Sequence, residues 1–217
     1  MVYRGVLFDL DGTLLDTLED LAGAVNRLLA ERGYPTHSVD SYRYFVGNGP
    51  LMLITRALPE TARQQEIISA CLEAFRADYR KTWQVHTRLY PGVAEMLDGL
   101  SSRRLQLAIL SNKPHDFTLT CVDKMLNQWN FSVVLGLRDS VPAKPDPAGA
   151  LEVSHAVGIP PEEFLYLGDT SVDMKTAVAA GMHPVGVLWG FRSPEELQQS
   201  GARMLLERPQ EIFQLLG

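Results

Sequence analysis

Two aspartates separated by a single residue stand where a short apolar run stops. In Val6-Leu7-Phe8-Asp9-Leu10-Asp11-Gly12-Thr13-Leu14 the apolar stretch reads as a buried strand, followed by two carboxylates, a glycine and a hydroxyl. A carboxylate such as Asp9 at the end of a buried strand is costly unless it is paired or binds a metal. Carboxylates this close repel each other unless a cation lies between them. Oxygen-only ligands of this hardness suit Mg²⁺ better than zinc or copper. The same residues also fit an ordinary strand with an Asp-Gly turn, so the rest of the chain has to decide.

Three later segments add compatible groups, each just past an apolar run. Residues 105–110 are followed by Ser111, Asn112 and Lys113. The loop after 132–135 carries Lys144 in Ala143-Lys144-Pro145-Asp146-Pro147, and residues 164–167 are followed by Gly168-Asp169-Thr170-Ser171-Val172-Asp173. Each has a plain structural reading. Ser111-Asn112 or Asp169-Thr170-Ser171 could cap the next helix, Asp173 could favour a helix dipole, and Lys144 could be a solvated loop lysine. Taken together, four strand ends delivering carboxylates, a hydroxyl and an ammonium describe one site for a metal and an oxyanion.

The elements that must position these groups follow from periodicity. A helix is expected over 17–31, where Leu18, Leu21, Ala22, Val25, Leu28 and Leu29 recur at helical spacing before Gly33. Residues 38–83 hold no convincing strand and read as helical, broken by the turn Val46-Gly47-Asn48-Gly49-Pro50. That turn is either a plain interhelical connection or a substrate loop, with backbone N–H groups close to what it faces. From Tyr90-Pro91-Gly92 onward strands and helices alternate. Helices are expected at 93–102, 115–126, 147–157, 170–180 and 209–216, and strands at 105–110, 132–135, 164–167 and 184–188. Such alternation implies a doubly wound, Rossmann-like parallel sheet, in which ligands bind beyond the carboxyl ends of the strands. The opening strand needs that sheet too, so the helical section is an insert: residues 1–15 and 84–217 form an α/β core and 16–83 a small helical domain. The stretch after Trp189 is expected to complete the sheet edge.

The chain of 217 residues carries a formal net charge of −6 and is 46% apolar, ordinary for a globular protein. That charge and the lack of a Lys/Arg track argue against nucleic acid or an anionic membrane as partner. No apolar stretch reaches membrane-span length, and no signal peptide is evident. Cys71 and Cys121 stand far apart, outside any ligand spacing, and read as two buried reduced thiols. The expectation is a cytoplasmic protein, monomer or homodimer.

The motifs Asp9-Leu10-Asp11-Gly12-Thr13, Leu110-Ser111-Asn112-Lys113, Lys144, and Gly168-Asp169 with Asp173 resemble, in order and spacing, those of the haloacid dehalogenase-like hydrolase superfamily. The likeness covers nearly the whole chain, and the helical insert resembles that family's small cap domain. Asp11 followed by Gly12-Thr13 resembles the Mg²⁺-dependent phosphatase branch rather than the dehalogenases. The resemblance implies that Asp9 is the nucleophile and forms an aspartyl-phosphate, and that Asp11 is the general acid and base. It implies that Mg²⁺ lies against Asp9, the Asp11 carbonyl and Asp169, with Asp173 orienting or coordinating through water. Ser111 and Lys144, with backbone N–H groups around Leu10 and Asn112, would hold the phosphoryl oxygens, and Thr13 would brace the first loop at the substrate.

A closer resemblance is to the phosphoglycolate phosphatase subfamily, carried by Gly5 to Asp9, Leu14-Leu15-Asp16-Thr17, Val46-Gly47-Asn48-Gly49, Tyr90-Pro91-Gly92-Val93 and Ser111-Asn112-Lys113-Pro114. It points to a small phosphorylated metabolite, with Gly47, Asn48 and Gly49 as cap contacts. Ser111 stands where many close relatives have threonine, which keeps the hydroxyl. Arg56 is either a grip for a substrate carboxylate or an exposed helix arginine. A phosphonoacetaldehyde hydrolase needs a cap lysine, and no lysine precedes Lys81. The β-phosphoglucomutase cap loop is not resembled. Nucleotidase and pyrophosphatase activities stay open. So does, in a different class, a non-catalytic relative that binds a phosphometabolite, against which the retained Asp9 and Asp11 argue.

Overall fold

A computed structural model describes residues 2–216 as two compact units, one comprising the chain up to Leu15 together with that from Leu89 onward, the other Asp16–Arg88. In chain order, β1 (Gly5–Phe8) and the two-residue β2 (Leu15–Asp16) lead to α1 (Leu18–Glu31), α2 (Tyr42–Phe45), α3 (Gly49–Ala57) and α4 (Gln65–Thr82). The return runs through β3 (Arg88–Leu89), α5 (Val93–Ser102), β4 (Gln106–Pro114), α6 (His115–Met125), β5 (Val133–Leu137), α7 (Ala148–Val157), β6 (Phe164–Gly168), α8 (Ser171–Ala180), β7 (His183–Val187), α9 (Pro194–Gln199) and β8 (Met204–Leu206).

Six strands form one sheet in the order β5-β4-β1-β6-β7-β8, and every pairing is parallel. β1 lies between β4 and β6, with Phe8 paired to Ile109 on one side and Leu167 on the other. A strand paired on both edges and covered on both faces reads as an unbroken apolar run. Val6, Leu7 and Phe8 are accordingly 0% exposed, each worth about 1.5–3 kcal/mol of burial. Leu7, Ala108, Leu110, Tyr166, Ala150 and Val153 pack in one core cluster.

Three expectations change in detail. The strand expected to stop at Leu110 continues to Pro114, carrying Ser111-Asn112-Lys113 in extended form, with a register shift against β5 beyond Leu110. The cap of α6 is therefore Pro114 and no side chain caps it, so Ser111 and Asn112 are not capping residues. The final helix is a 3-10 segment, Pro209–Leu215, whose buried residues Pro209 and Ile212 are three apart, as three residues per turn requires. The stretch after Trp189 contains α9 as well as the edge strand β8.

In the helical unit, α1 buries the expected apolar stripe and α4 buries Ile68, Cys71, Phe75 and Tyr79 at helical spacing. Cys71 and Cys121 are both buried and free. This unit runs past residue 83 because the chain after α4 is tied back to α1. Asp20, 5% exposed, accepts hydrogen bonds from His86 N, at 3.0 Å, and from Thr87 N and Oγ1, each at 2.8 Å. Asp20→Ala strands buried donors, so we expect a loss of about 2–3 kcal/mol, read by urea denaturation with Asp20→Asn as the milder comparison. No helix among the described residues is long and apolar enough to cross a membrane.

Candidate active site

β1 ends at the central position of the sheet, and Asp9 follows it, with its N–H donating to Leu167 O at 2.9 Å. The Leu10 carbonyl then accepts from Leu14 N and Leu15 N, each at 3.0 Å, closing the loop tightly. Gly12 sits at φ +90°, a left-handed conformation, and a Cβ there would lie 2.3 Å from Asp169 Oδ2. Both facts require glycine.

Asp9, Asp169 and Asp173 are all buried, and each offers a carboxylate oxygen within 4.8 Å of the others. Lys144, 5% exposed, is the cation among them. Its Nζ donates to Asp173 Oδ1 at 2.7 Å and Leu110 O at 3.0 Å. It lies 2.9 Å from Asp9 Oδ1 as an ion pair, off the axis of a hydrogen bond. Three carboxylates against one ammonium leave the cluster with excess negative charge. Burial first, then the Asp173 charge, push the Asp9 carboxyl up to about 7 against the opposing pull of Lys144. Burial, with Asp173 and Asp9, raises Asp169 well above the carboxylate range. Burial works against the Lys144 ammonium, but Asp173 and Asp9 outweigh it and hold it charged. Hard oxygen donors with uncompensated charge, one of them lacking a directed hydrogen bond, fit a divalent cation.

Asp169 is fixed from two sides. Thr13 Oγ1 donates to its Oδ1 at 3.0 Å and Phe191 N to its Oδ2 at 2.9 Å. Asp173, in the first turn of α8, accepts at Oδ2 from Thr170 N at 3.1 Å and from Thr170 Oγ1 at 2.6 Å. Its remaining oxygen is thereby turned to Lys144. Lys144 itself is placed by Asn112: Asn112 Nδ2 donates to Lys144 O at 3.1 Å and Lys144 N to Asn112 Oδ1 at 3.0 Å. Ser111 is 4% exposed, and its Oγ accepts from Lys113 N at 3.2 Å. No described residue takes its hydroxyl proton, so that proton can be donated to an oxyanion. Asp11 is held by Lys113, whose Nζ donates to Oδ1 at 2.8 Å and Oδ2 at 3.0 Å.

The site thus holds a carboxylate at a strand end, as one of a buried acidic trio, with a lysine between its members. The sequence profile described as haloacid dehalogenase-like hydrolase matches residues 6–187. The chain belongs to the haloacid dehalogenase-like hydrolases. A phosphoglycolate phosphatase of Pseudomonas putida is 34% identical over 94% of this hydrolase and 76% of its own length. Phosphoglycolate phosphatase 1 of Pseudomonas aeruginosa is 32% identical over 97% and 78%. The crystal structure of a predicted phosphoglycolate phosphatase from Haemophilus somnus superposes with a TM-score of 0.90 at 26% identity, covering 99% of this chain and 98% of that one.

The hydrolase brings together Asp9, Asp11, Thr13, Ser111, Asn112, Lys144, Asp169 and Asp173, all in the sheet unit. Two of these have side-chain partners that the sequence did not reveal. Thr13 is 0% exposed and its hydroxyl is committed to Asp169, so it positions that carboxylate. The Asn112 side chain locks the Lys144 loop. Gly47, Asn48, Gly49 and Arg56 belong to the helical unit. Gly47 and Gly49 have φ of +105° and +82°. Arg56 donates to Phe45 O at 3.0 Å, Tyr44 O at 3.3 Å and Asn48 Oδ1 at 2.8 Å, bracing the turn that precedes α3.

The sequence reading left Lys113 without a role and missed the segment Trp189-Gly190-Phe191. Trp189 Nε1 donates to Thr13 O at 2.9 Å, and Phe191 N holds Asp169. The signal was available: β7 neighbours β6, so the loop leaving its carboxyl end has to arrive beside Asp169.

Proposed function

We propose that this hydrolase cleaves small phosphomonoesters through an aspartyl-phosphate on Asp9, with 2-phosphoglycolate as its substrate and Mg²⁺ as its metal. The observation that carries this reading is the pairing at the end of β1. Asp9 sits in a buried acidic trio with Lys144, and two residues on, Asp11 is held separately by Lys113. That separation supports assigning attack to the first carboxylate and proton transfer to the second.

An Asp9 oxygen attacks phosphorus while the bond to the substrate's alcohol oxygen breaks, and that oxygen leaves with a proton from Asp11. Asp11, now a carboxylate, takes a proton from the water that attacks the phosphorus of the acyl phosphate. Inorganic phosphate departs and Asp9 is regenerated. Ser111 donates its hydroxyl to a phosphoryl oxygen, and Lys144 aligns Asp9 and supplies positive charge, the positioning and charge stabilisation that phosphoryl transfer needs. Asp9, Asp169, Asp173 and the Asp11 carbonyl would hold Mg²⁺, which when bound offsets the repulsion between an anionic nucleophile and an anionic phosphate. To the helical unit, through the turn at 46–50, we assign substrate choice. The support is the likeness to the phosphoglycolate phosphatases of Pseudomonas putida and Pseudomonas aeruginosa.

Phosphate release with Mg²⁺ tests the reading on 2-phosphoglycolate beside nucleotides, sugar phosphates and pyrophosphate. We expect kcat/KM for 2-phosphoglycolate at least about tenfold above the rest, or ~1.4 kcal/mol of discrimination. A nucleotide or pyrophosphate ahead keeps the chemistry and removes the substrate. No turnover of any phosphate overturns the enzyme.

A further inference from the structure

We propose that Lys113 is the positioning residue for Asp11: it fixes the carboxylate that transfers protons, and so acts on both proton-transfer steps without serving the attack on phosphorus. The inference rests on the reading of Asp9 as nucleophile and Asp11 as acid and base.

The site contains two buried lysines, and they divide its carboxylates between them. Lys144 faces Asp9 and Asp173. Lys113 faces Asp11, holding both oxygens at 2.8 and 3.0 Å, with side-chain exposures of 5% for the lysine and 19% for the aspartate. A lysine side chain has four flexible carbons and rarely defines a geometry unless its stem and backbone are held. Here both are. β4 runs through residue 113 to Pro114. The Lys113 N–H donates to Ser111 Oγ at 3.2 Å, and its carbonyl accepts from Thr118 Oγ1 at 3.1 Å. Gly136 packs so closely that a Cβ there would stand 2.6 Å from the Lys113 carbonyl. Nζ lies 5.4 Å from the centre of the Phe117 ring, within cation–π range. The ammonium is thus delivered to one place, and Asp11 is what stands there.

Asp11 needs such a partner. It sits on the loop beside Gly12, in left-handed backbone, and its side chain is part-exposed where Asp9 is buried. A carboxylate there can rotate towards water. Proton transfer requires it within hydrogen-bond reach of the leaving oxygen and then of the attacking water. Fixing it removes the rotational freedom that would otherwise be lost in each transition state.

Lys113→Met keeps the length and the contact with Phe117 and removes the charge; Lys113→Arg restores a two-pronged donor. Rapid acid-quench kinetics would compare 2-phosphoglycolate, or whichever alkyl phosphate the wild type hydrolyses best, with p-nitrophenyl phosphate, whose leaving group needs no proton. For Lys113→Met we expect phosphorylation of Asp9 by the alkyl phosphate to slow about 100-fold, the scale of general acid catalysis. Phosphorylation by p-nitrophenyl phosphate should change by less than about fivefold. The phosphoenzyme should then accumulate because the water-attack step has lost its positioned base, the substrate concentration that half-saturates the phosphorylation step should hold, and Lys113→Arg should recover at least about tenfold of the loss. Equal loss on both substrates with Lys113→Arg no better would make the lysine merely structural. A rise in KM alone would make it a substrate grip. Either overturns the proposal. A wild type that never forms a phosphoenzyme overturns instead the reading beneath it.

Discussion

Asp9→Asn is expected to abolish turnover while raising the melting temperature of the metal-free protein at neutral pH. The first half follows from nucleophilic catalysis. Asparagine occupies the same volume but offers no anionic oxygen to phosphorus, and removing a nucleophile costs on the order of 10⁴-fold or more in kcat. Stopped assays with 2-phosphoglycolate should find no phosphoenzyme in the variant. A variant keeping more than about 1% of wild-type turnover, well above that expected residue, would place the nucleophile elsewhere.

The second half follows from charge. Without a divalent cation, Asp9, Asp169 and Asp173 crowd one buried space around Lys144. Burial and the Asp173 charge lift Asp9 to about 7 from an ordinary 3.8. Between those values the folded protein binds more protons than the unfolded chain, so stability falls as pH rises through that interval and levels off above it. The stabilising protonated form is fully present below the lower value. Asparagine imitates that form at every pH. At about 1.4 kcal/mol per pH unit the ceiling is roughly 4 kcal/mol. Lys144 loses one of its two anionic partners, so we expect about 2–3 kcal/mol, or roughly 4–12 °C for a chain of this size. The gap should be widest near pH 8, shrink as the pH approaches 4, and close or reverse when Mg²⁺ is added, because the cation stabilises the wild type far more. Calorimetric scans with chelator and with Mg²⁺ across that range provide the check, and an Asp9→Asn protein melting below the wild type at pH 8 in chelator would refute the account.

The groups legible in the sequence were those whose position depends on local pattern. Val6-Leu7-Phe8 is buried on both faces, so its end, and therefore Asp9, could be placed from the apolar run alone. The same holds for Asp169 after Phe164–Gly168. What stayed hidden depends on pairings far apart in the chain. Lys113 stands 102 residues from Asp11, and nothing in Ser111-Asn112-Lys113-Pro114 says whether its ammonium turns inward. Thr13 and Asp169 are 156 residues apart, so a hydroxyl suited to a substrate turned out to serve a carboxylate. Arg56 was undecided between solvent and substrate because helix position does not reveal that the carbonyls of Tyr44 and Phe45 lie within its reach. Elements of two to six residues, such as β2, β3, β8 and α9, are too short for a period to register.

Gly190→Ala is expected to be a strongly damaging single-methyl change, although Gly190 carries no functional group. A Cβ at this position would lie 2.2 Å from the Asp169 Cβ and 2.5 Å from the Gly12 carbonyl oxygen. Neither neighbour can yield cheaply. Gly12 is fixed in the loop that presents Asp11, where its own N–H donates to Leu15 O at 2.8 Å. Asp169 is 0% exposed and is pinned by Thr13 Oγ1 and by Phe191 N, the amide next to the substituted residue. A methyl group must therefore push the Trp189-Gly190-Phe191 strap outward, stretch the Phe191 bond and turn a carboxylate of the acidic trio out of line. Overpacking of this kind costs about 1–3 kcal/mol, and disturbing the partners of a metal-ligating carboxylate costs about 10–100-fold in metal affinity. Titration calorimetry with Mg²⁺, or with Mn²⁺ for a stronger signal, reads that loss directly without any turnover. Gly158→Ala separates the site from glycine loss in general. Gly158 also has a left-handed φ, +66°, but a Cβ there meets nothing within 4 Å. It should cost about 1 kcal/mol of backbone strain and leave metal affinity intact. If Gly190→Ala binds the cation as tightly as Gly158→Ala does, the strap does not hold Asp169, and the geometry around the acidic trio is set by β6 and α8 alone.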